Sequence, residues 1–188
     1  MTIVDELYKN HIDLLEYVKN EPSLFSFADN TFKKVLVIAA ASFFEEEIKN
    51  LLIEFASYSS SNNVPLINFL KNKAIDKKYH EYFQWDENSA NSFFGLFGKD
   101  FKDLAIKDVE ANPELDKAVK SFLELGKTRN DFSHKNFASI NPDKTAEDYY
   151  NLYQSAQNFL SYLKTKILPV KYQEFNISNL FQFLFSDS

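Results

Sequence analysis

One arginine, Arg129, stands in this chain against twenty lysines. Lysine serves for solubility, so a lone arginine marks a position that calls for a planar, permanently charged group with two-point grip. Chance survival in a lysine-rich composition is the bland alternative. Arg129 opens the run Arg129-Asn130-Asp131-Phe132-Ser133-His134. At about 100° per residue along a helix, Leu115, Ala118, Val119, Phe122, Leu125 and Gly126 share one stripe. Its next occupants are Arg129, Asn130 and Ser133, polar where the pattern asks for Leu or Val, and His134 falls at the edge of the same face. Phe132 keeps part of the packing, and Gly126 allows another backbone to approach closely. Polar groups turned towards a core cost roughly 1–3 kcal/mol each unless paired. The cluster therefore wants polar groups on another helix, a second subunit or a ligand. The competing reading is a helix that leaves the core at Lys127 and simply solvates these residues. A guanidinium grips anions bidentately and an imidazole exchanges protons near neutral pH, so the pair can combine anion binding with acid–base chemistry.

Other candidates carry less. Glu47 lies near the apolar stripe of its own helix, and Glu45 points to another flank of a helix buried on several sides. Either can meet Arg129, and the pattern does not choose between them. His11 sits on a polar-flanked turn, and His80 lies in the solvated stretch Lys77-Lys78-Tyr79-His80-Glu81. Three scattered histidines without HxxE or HxH spacing make no dedicated metal site, and no metal or other cofactor is expected. Phosphate-loop, dinucleotide and serine-hydrolase motifs are missing from the sequence.

The elements that must position these residues read as helices. Residues 2–20 form the first, stopped by Glu21-Pro22. Asp29 or Asn30 caps a long helix to about Ser57 whose first half, Val35 to Phe44, is apolar almost all round. The Ser/Asn cluster 59–63 is a loop, and a short helix runs from Val64 or Pro65 to about Lys78. An irregular, aromatic-rich stretch, 79–98, holds a short helix from Ser89 to Phe97 closed by Gly98 as a left-handed cap. A helix over Asp100–Glu110 follows. Asn112-Pro113-Glu114 starts the next, to about His134. Thr145 with Asp148 reads as a capping box opening a helix with Tyr149, Leu152, Tyr153, Ala156, Phe159, Leu160 and Leu163 on one face, ended by Pro169. The apolar tail 175–185 forms one last short helix.

The fold class is all-α, a bundle of four or five longer helices with short additions. Three glycines and five prolines in 188 residues are too few for a turn-rich β-sandwich. Absence of cysteine excludes disulfides, thiol catalysis and cysteine-bound zinc. No apolar run reaches membrane-spanning length and the acidic first ten residues do not read as a signal peptide, so a cytoplasmic protein without membrane contact is expected. A net charge of −6 argues against a protein that coats nucleic acid, yet leaves room for one local basic site. From Asp116 to Lys135 five basic groups face three acidic ones, so this segment is positive within an acidic chain.

Arg129-Asn130-Asp131-Phe132-Ser133-His134 resembles the R-N-x-x-x-H signature of HEPN domains, all-α proteins that include many ribonucleases of toxin–antitoxin and abortive-infection systems. Its setting is similar too: late on a helix in the second half of the domain, with a further long helix behind it. Ala41-Ser42-Phe43-Phe44-Glu45, then Ile48 and Leu51-Leu52, resembles the paired long helix of the family, and Asn91 to Gly98 resembles a bacterial subgroup often labelled RiboL-PSP. The resemblance covers roughly residues 30–165. Residues 1–188 are thus read as one HEPN-like domain, with the helix 2–20 and the tail 167–188 as additions. Some HEPN toxins carry a tyrosine two residues after the histidine, where a partner enzyme modifies them; Asn136 stands there, so that regulation is not expected.

The resemblance implies a metal-independent endoribonuclease. The ribose 2′-OH attacks its own phosphodiester, giving 2′,3′-cyclic phosphate and 5′-OH ends. Arg129 holds the phosphate, His134 moves protons, and Asn130 orients His134 or contacts phosphate. Lys127 and Lys135 add phosphate contacts, with Glu45, Glu47 and Ser133 as auxiliaries. Arg129 and His134 are five residues apart, about 140° in direction on a regular helix, which is awkward for one phosphate. A homodimer with a composite site supplies both groups from two protomers. The aromatic segments 79–98 and 175–185, more than one bundle obviously buries, point the same way. RNA is the expected substrate and a neutralising antitoxin or other defence protein the expected partner. The rival reading is a non-catalytic HEPN-like module that binds a partner protein or a nucleotide.

Overall fold

The computed structural model is described for residues 1–134 and 136–168, without the side chains of His134 and Ala138. Helix α1 (Ile3–Val18) starts on a capping box in which Thr2 and Asp5 satisfy each other's backbone N–H groups. Helix α2 runs from Pro22 to Ser59, 38 residues and therefore roughly 57 Å at about 1.5 Å per residue. It starts a full two turns before Asp29. Proline is pre-organised for the first helical turn and lacks only an N–H that would be unpaired there anyway, so Pro22 both ends α1 and begins α2. Asp29 is not a cap. Its carboxylate pairs with Lys33 and faces His11 across the α1–α2 junction.

Helix α3 (Val64–Leu70) is capped by Asn63, whose Oδ1 accepts from Leu66 N at 3.1 Å. The chain then widens into a π-helical turn, Lys71–Ile75, so the single helix expected to reach Lys78 ends earlier. Two short helices follow, α4 (Tyr79–Tyr82) and α5 (Asn91–Gly95). Gly98 adopts positive φ (96°), as its composition suggests, but with ψ at 169° it leads into α6 (Lys99–Ala111) rather than closing α5. Helix α7 spans Pro113–His134, and Asn112 Oδ1 accepts from the N–H groups of Glu114 and Leu115 at 3.1 and 3.2 Å. A 3₁₀ turn, Phe137–Ser139, precedes α8 (Ala146–Ile167), which opens on the expected Thr145–Asp148 capping box. No strand occurs among the described residues. None of the described helices is long and apolar enough to cross a membrane.

The core lies where α2, α7 and α8 meet, with α7 and α8 forming the broadest helix contact. Phe44 of α2, Phe122 of α7 and Tyr153 and Phe159 of α8 pack there ring against ring. Helix α1 joins this core through Val4, stacks Tyr8 on Tyr150 at 4.0 Å, and ties itself to α8 through Thr2–Tyr153 and Asp5–Tyr150 hydrogen bonds. The aromatics of 79–98 turn inward: Tyr79, Tyr82, Phe83, Phe93 and Phe94 are all buried in the single chain. This segment therefore gives no support to a second subunit. The apolar tail 175–185 and Pro169 lie outside the described residues. His11 is also buried, contrary to its polar sequence surroundings, with its ring stacked on Phe32 at 3.6 Å. Burial outweighs the nearby Asp29 and holds its imidazole below the usual histidine pKa.

Candidate functional site

Along α7 the stripe behaves as the sequence suggests as far as Asn130, while Ser133, expected on the same face, is exposed. Leu115, Ala118, Val119, Phe122, Leu125 and Gly126 are buried, Arg129 and Asn130 are half-buried, and Phe132 is buried again. The helix neither leaves the core at Lys127 nor seals over the polar residues. Arg129 and Asn130 sit at the margin of the core, where a side chain is braced by protein yet reachable from solvent.

Arg129 Nη1 donates to Asn130 Oδ1 at 3.2 Å. The same nitrogen lies 3.3 Å from His80 Nε2. A guanidinium only donates, so this contact is a hydrogen bond to the tautomer of His80 with an unprotonated Nε2. His80 is thus brought to the site from a segment whose charge pattern hides it. Partial burial, then the positive charge of Arg129, hold its imidazole below the usual histidine value; Glu45 opposes and Lys49 adds to the effect. Next to it, burial and the charge of Glu45 push the Tyr79 phenol far upward against the pull of Arg129, so it stays a neutral group.

Trp85 fixes this arrangement. Its indole Nε1 donates to His80 O at 3.0 Å, and its ring lies directly on Gly126 of α7. A Cβ at position 126 would fall 1.9 Å from Trp85 Cζ3. Gly126 does permit a close approach, but by an indole ring and not by a backbone. One turn of α7 therefore sets Trp85, which holds His80, which meets Arg129 on the next turn.

The two candidate glutamates separate. Glu45 is ion-paired with Lys49 on α2, and both act on His80. They also line an open cleft between α2 and the π-helical turn, together with Glu46, Asn50, Lys71 and Asp76. Glu47 instead binds Lys164 of α8 at 2.6 Å. Ser133 Oγ donates to Arg129 O at 3.0 Å, so its hydroxyl is engaged within the helix. Lys127 is half-exposed and pairs with Asp86 at 3.1 Å, beside Trp85. His134 is the last residue of α7, its side chain outside the described part of the structure, as is Lys135.

Among the described residues, no carboxylate forms an ion pair with Arg129. Its partners are an amide oxygen and an imidazole nitrogen, both neutral acceptors. A half-buried cation so placed keeps its charge available for an anion.

The family model described as RiboL-PSP-HEPN matches residues 5–168. The chain belongs to this HEPN family. No curated protein and no solved structure matches it. The match runs from Asp5 within α1 to the end of α8, and so contains both the R-N-x-x-x-H run on α7 and the His80–Trp85 segment that leans on it. In this HEPN chain His80 and Trp85 are the site neighbours that sequence reasoning missed. The only signal for them was Gly126, a small residue on a core-directed stripe that implied a close neighbour without naming it.

Proposed function

We propose that this HEPN domain is a metal-independent endoribonuclease that uses the ribose 2′-OH as nucleophile. The observation that carries the reading is the half-buried guanidinium of Arg129, on the same helix as His134, whose hydrogen-bond partners among the described residues are neutral acceptors. A phosphodiester supplies the missing anion. Arg129 grips two of its oxygens and stabilises the charge that builds up in the transition state. His134 carries protons, a contribution of roughly 10²–10⁴-fold in such reactions. Asn130, by accepting from Arg129, pre-orients the guanidinium. Lys127, on exchanging Asp86 for phosphate, and Lys135 are the further phosphate contacts of this reading. Since unchecked cleavage of cellular RNA harms the cell that makes it, the setting we propose is a cytoplasmic toxin or abortive-infection effector neutralised by a second protein.

Product chemistry tests this directly. Attack by the 2′-OH leaves a 2′,3′-cyclic phosphate and a 5′-OH, so mass spectrometry of cleaved RNA should find those ends. A 2′-deoxyribose at the cleaved position should block cleavage there, because the attacking group is gone. Activity should survive excess EDTA. A 5′-phosphate product, or activity lost to chelation and restored by a divalent ion, would sink the mechanism.

The active form we propose is a homodimer with a composite site. The 140° separation of Arg129 and His134 motivates it, at about 100° per residue. Helix α2 adds a candidate surface: Leu24, Phe27, Val35 and Ile38 are exposed and fall on one narrow stripe. Light scattering at micromolar concentration should give twice the 21.9 kDa chain mass. A monomer at high concentration that still cleaves RNA would rule the composite site out. A well-folded dimer that cleaves no RNA would favour the non-catalytic binding module instead.

A further inference from the structure

The sequence provides one histidine in the motif, yet cleavage by a 2′-OH has two proton transfers to manage. We propose that His80 is the second proton-transfer residue of this site: its Nε2 takes the proton of the attacking 2′-OH, while His134 protonates the leaving 5′-oxygen. The inference rests on the ribonuclease reading above. Three observations carry it. His80 Nε2 lies 3.3 Å from the guanidinium that would hold the phosphate, so a group bound to Arg129 is within reach of the ring. The residue is exposed to solvent on its outer side and so open to substrate. Its backbone is anchored by Trp85 Nε1, which holds the ring's origin against α7.

The balance is simple. The O2′–H bond breaks and its proton passes to Nε2 of neutral His80. The new O2′–P bond forms, the P–O5′ bond breaks, and O5′ takes a proton from protonated His134. His80 ends charged and His134 neutral, and exchange with water resets both. In the free protein the Nε2 lone pair accepts from Arg129. A bound phosphate takes those N–H groups for its own oxygens, and the lone pair is released to the 2′-OH. The charged groups that face His80 are Arg129 from α7 and Glu45 and Lys49 from α2, with Tyr79 beside it; Lys78 and Glu81 on its own segment pair with each other. Partial burial and Arg129 keep the ring neutral below the ordinary histidine range, the state a base needs.

The test uses the full chain with two variants, His80→Ala and His80→Gln, beside His134→Ala. Each is checked for helical content by circular dichroism. Substrates are an ordinary oligoribonucleotide and one with sulfur replacing the bridging 5′-oxygen. A thiolate leaves without protonation, so the second substrate relieves the need for an acid and not for a base. Both His80 variants should fall by about 100-fold or more on ordinary RNA and stay slow on the sulfur substrate, while His134→Ala recovers on it. The acidic limb of the kcat/KM–pH profile should vanish in His80→Ala. Glutamine can accept from Arg129 but cannot carry a proton at neutral pH, so activity in His80→Gln would make His80 a positioning residue and overturn the proposal. Wild-type rates in His80→Ala, or recovery of that variant on the sulfur substrate, would overturn it too. Wild-type protein that cleaves neither substrate rejects the ribonuclease reading itself, and this assignment with it.

Discussion

Arg129→Lys is expected to lose RNA cleavage almost as completely as His134→Ala, by roughly 10²–10⁴-fold in single-turnover rate. A conservative exchange has this effect because of what surrounds position 129. The guanidinium reaches Asn130 Oδ1 and His80 Nε2 from one nitrogen, which leaves its other N–H groups free to meet a phosphate in a fixed plane. An ammonium on a flexible stem keeps the charge but not the plane, and its three donors cannot hold Asn130 and two phosphate oxygens in one fixed geometry. His134→Ala fails for a different reason, since a proton-transfer step loses its carrier. Neither change should unfold the protein. The apolar stripe of α7 ends one turn before Arg129, and Phe132 continues to pack without it. Circular dichroism and urea unfolding of both variants should therefore match the parent. If Arg129→Lys retained cleavage within a few-fold of the parent, phosphate binding would rest on charge alone and the two-point grip would be wrong.

How much of this was legible in the sequence depends on the range of the interaction involved. The start of α7 was legible because Asn112, Pro113 and Glu114 act on their own backbone within three residues. The Thr145–Asp148 capping box was legible for the same reason. The interrupted stripe on α7 was legible because helical periodicity carries information along one element. The start of α2 was not, since proline can either stop a helix or open one and only the packing of α1 against α2 decides. The burial of His11 depends on Phe32 coming from the next helix to cover it. His80 escaped for a related reason. Lysines and a glutamate surround it in sequence, but its backbone is held by the indole of Trp85 lying on Gly126, and its ring meets Arg129, 49 positions away in the chain. Choosing between Glu45 and Glu47 also needed a second helix, because only the structure shows Lys164 claiming Glu47.

That indole contact makes Gly126→Ala the most informative single change in the scaffold. Glycine inside a helix is worth about 1 kcal/mol less than alanine, so by propensity alone the variant should be more stable. The space decides otherwise. The added methyl would lie 1.9 Å from Trp85 Cζ3 and 2.2 Å from Cε3. The ring cannot simply tilt away, because Phe83, Tyr79 and Phe122 pack around it with centroids 5.1, 5.7 and 5.8 Å distant, and its N–H is held by His80 O. Forcing such a group aside costs typically about 1–3 kcal/mol, which outweighs the helical gain at the upper end of that range and yields a net loss of about 1–2 kcal/mol. Urea unfolding should show it as a lower midpoint. Trp85 is the only tryptophan, so a change in its fluorescence would report displacement of this ring and no other. Displacement also frees His80, so RNA cleavage should fall in a variant that is still largely folded. The decisive measurement is the double variant. With Trp85 first replaced by alanine, the clash has no partner, and Gly126→Ala should turn neutral or stabilising, leaving a coupling energy of about 1–3 kcal/mol between two residues forty-one positions apart. Equal destabilisation in both backgrounds would mean that something other than the indole fixes glycine at 126, and the chain of contacts from α7 through Trp85 to His80 would lose its anchor.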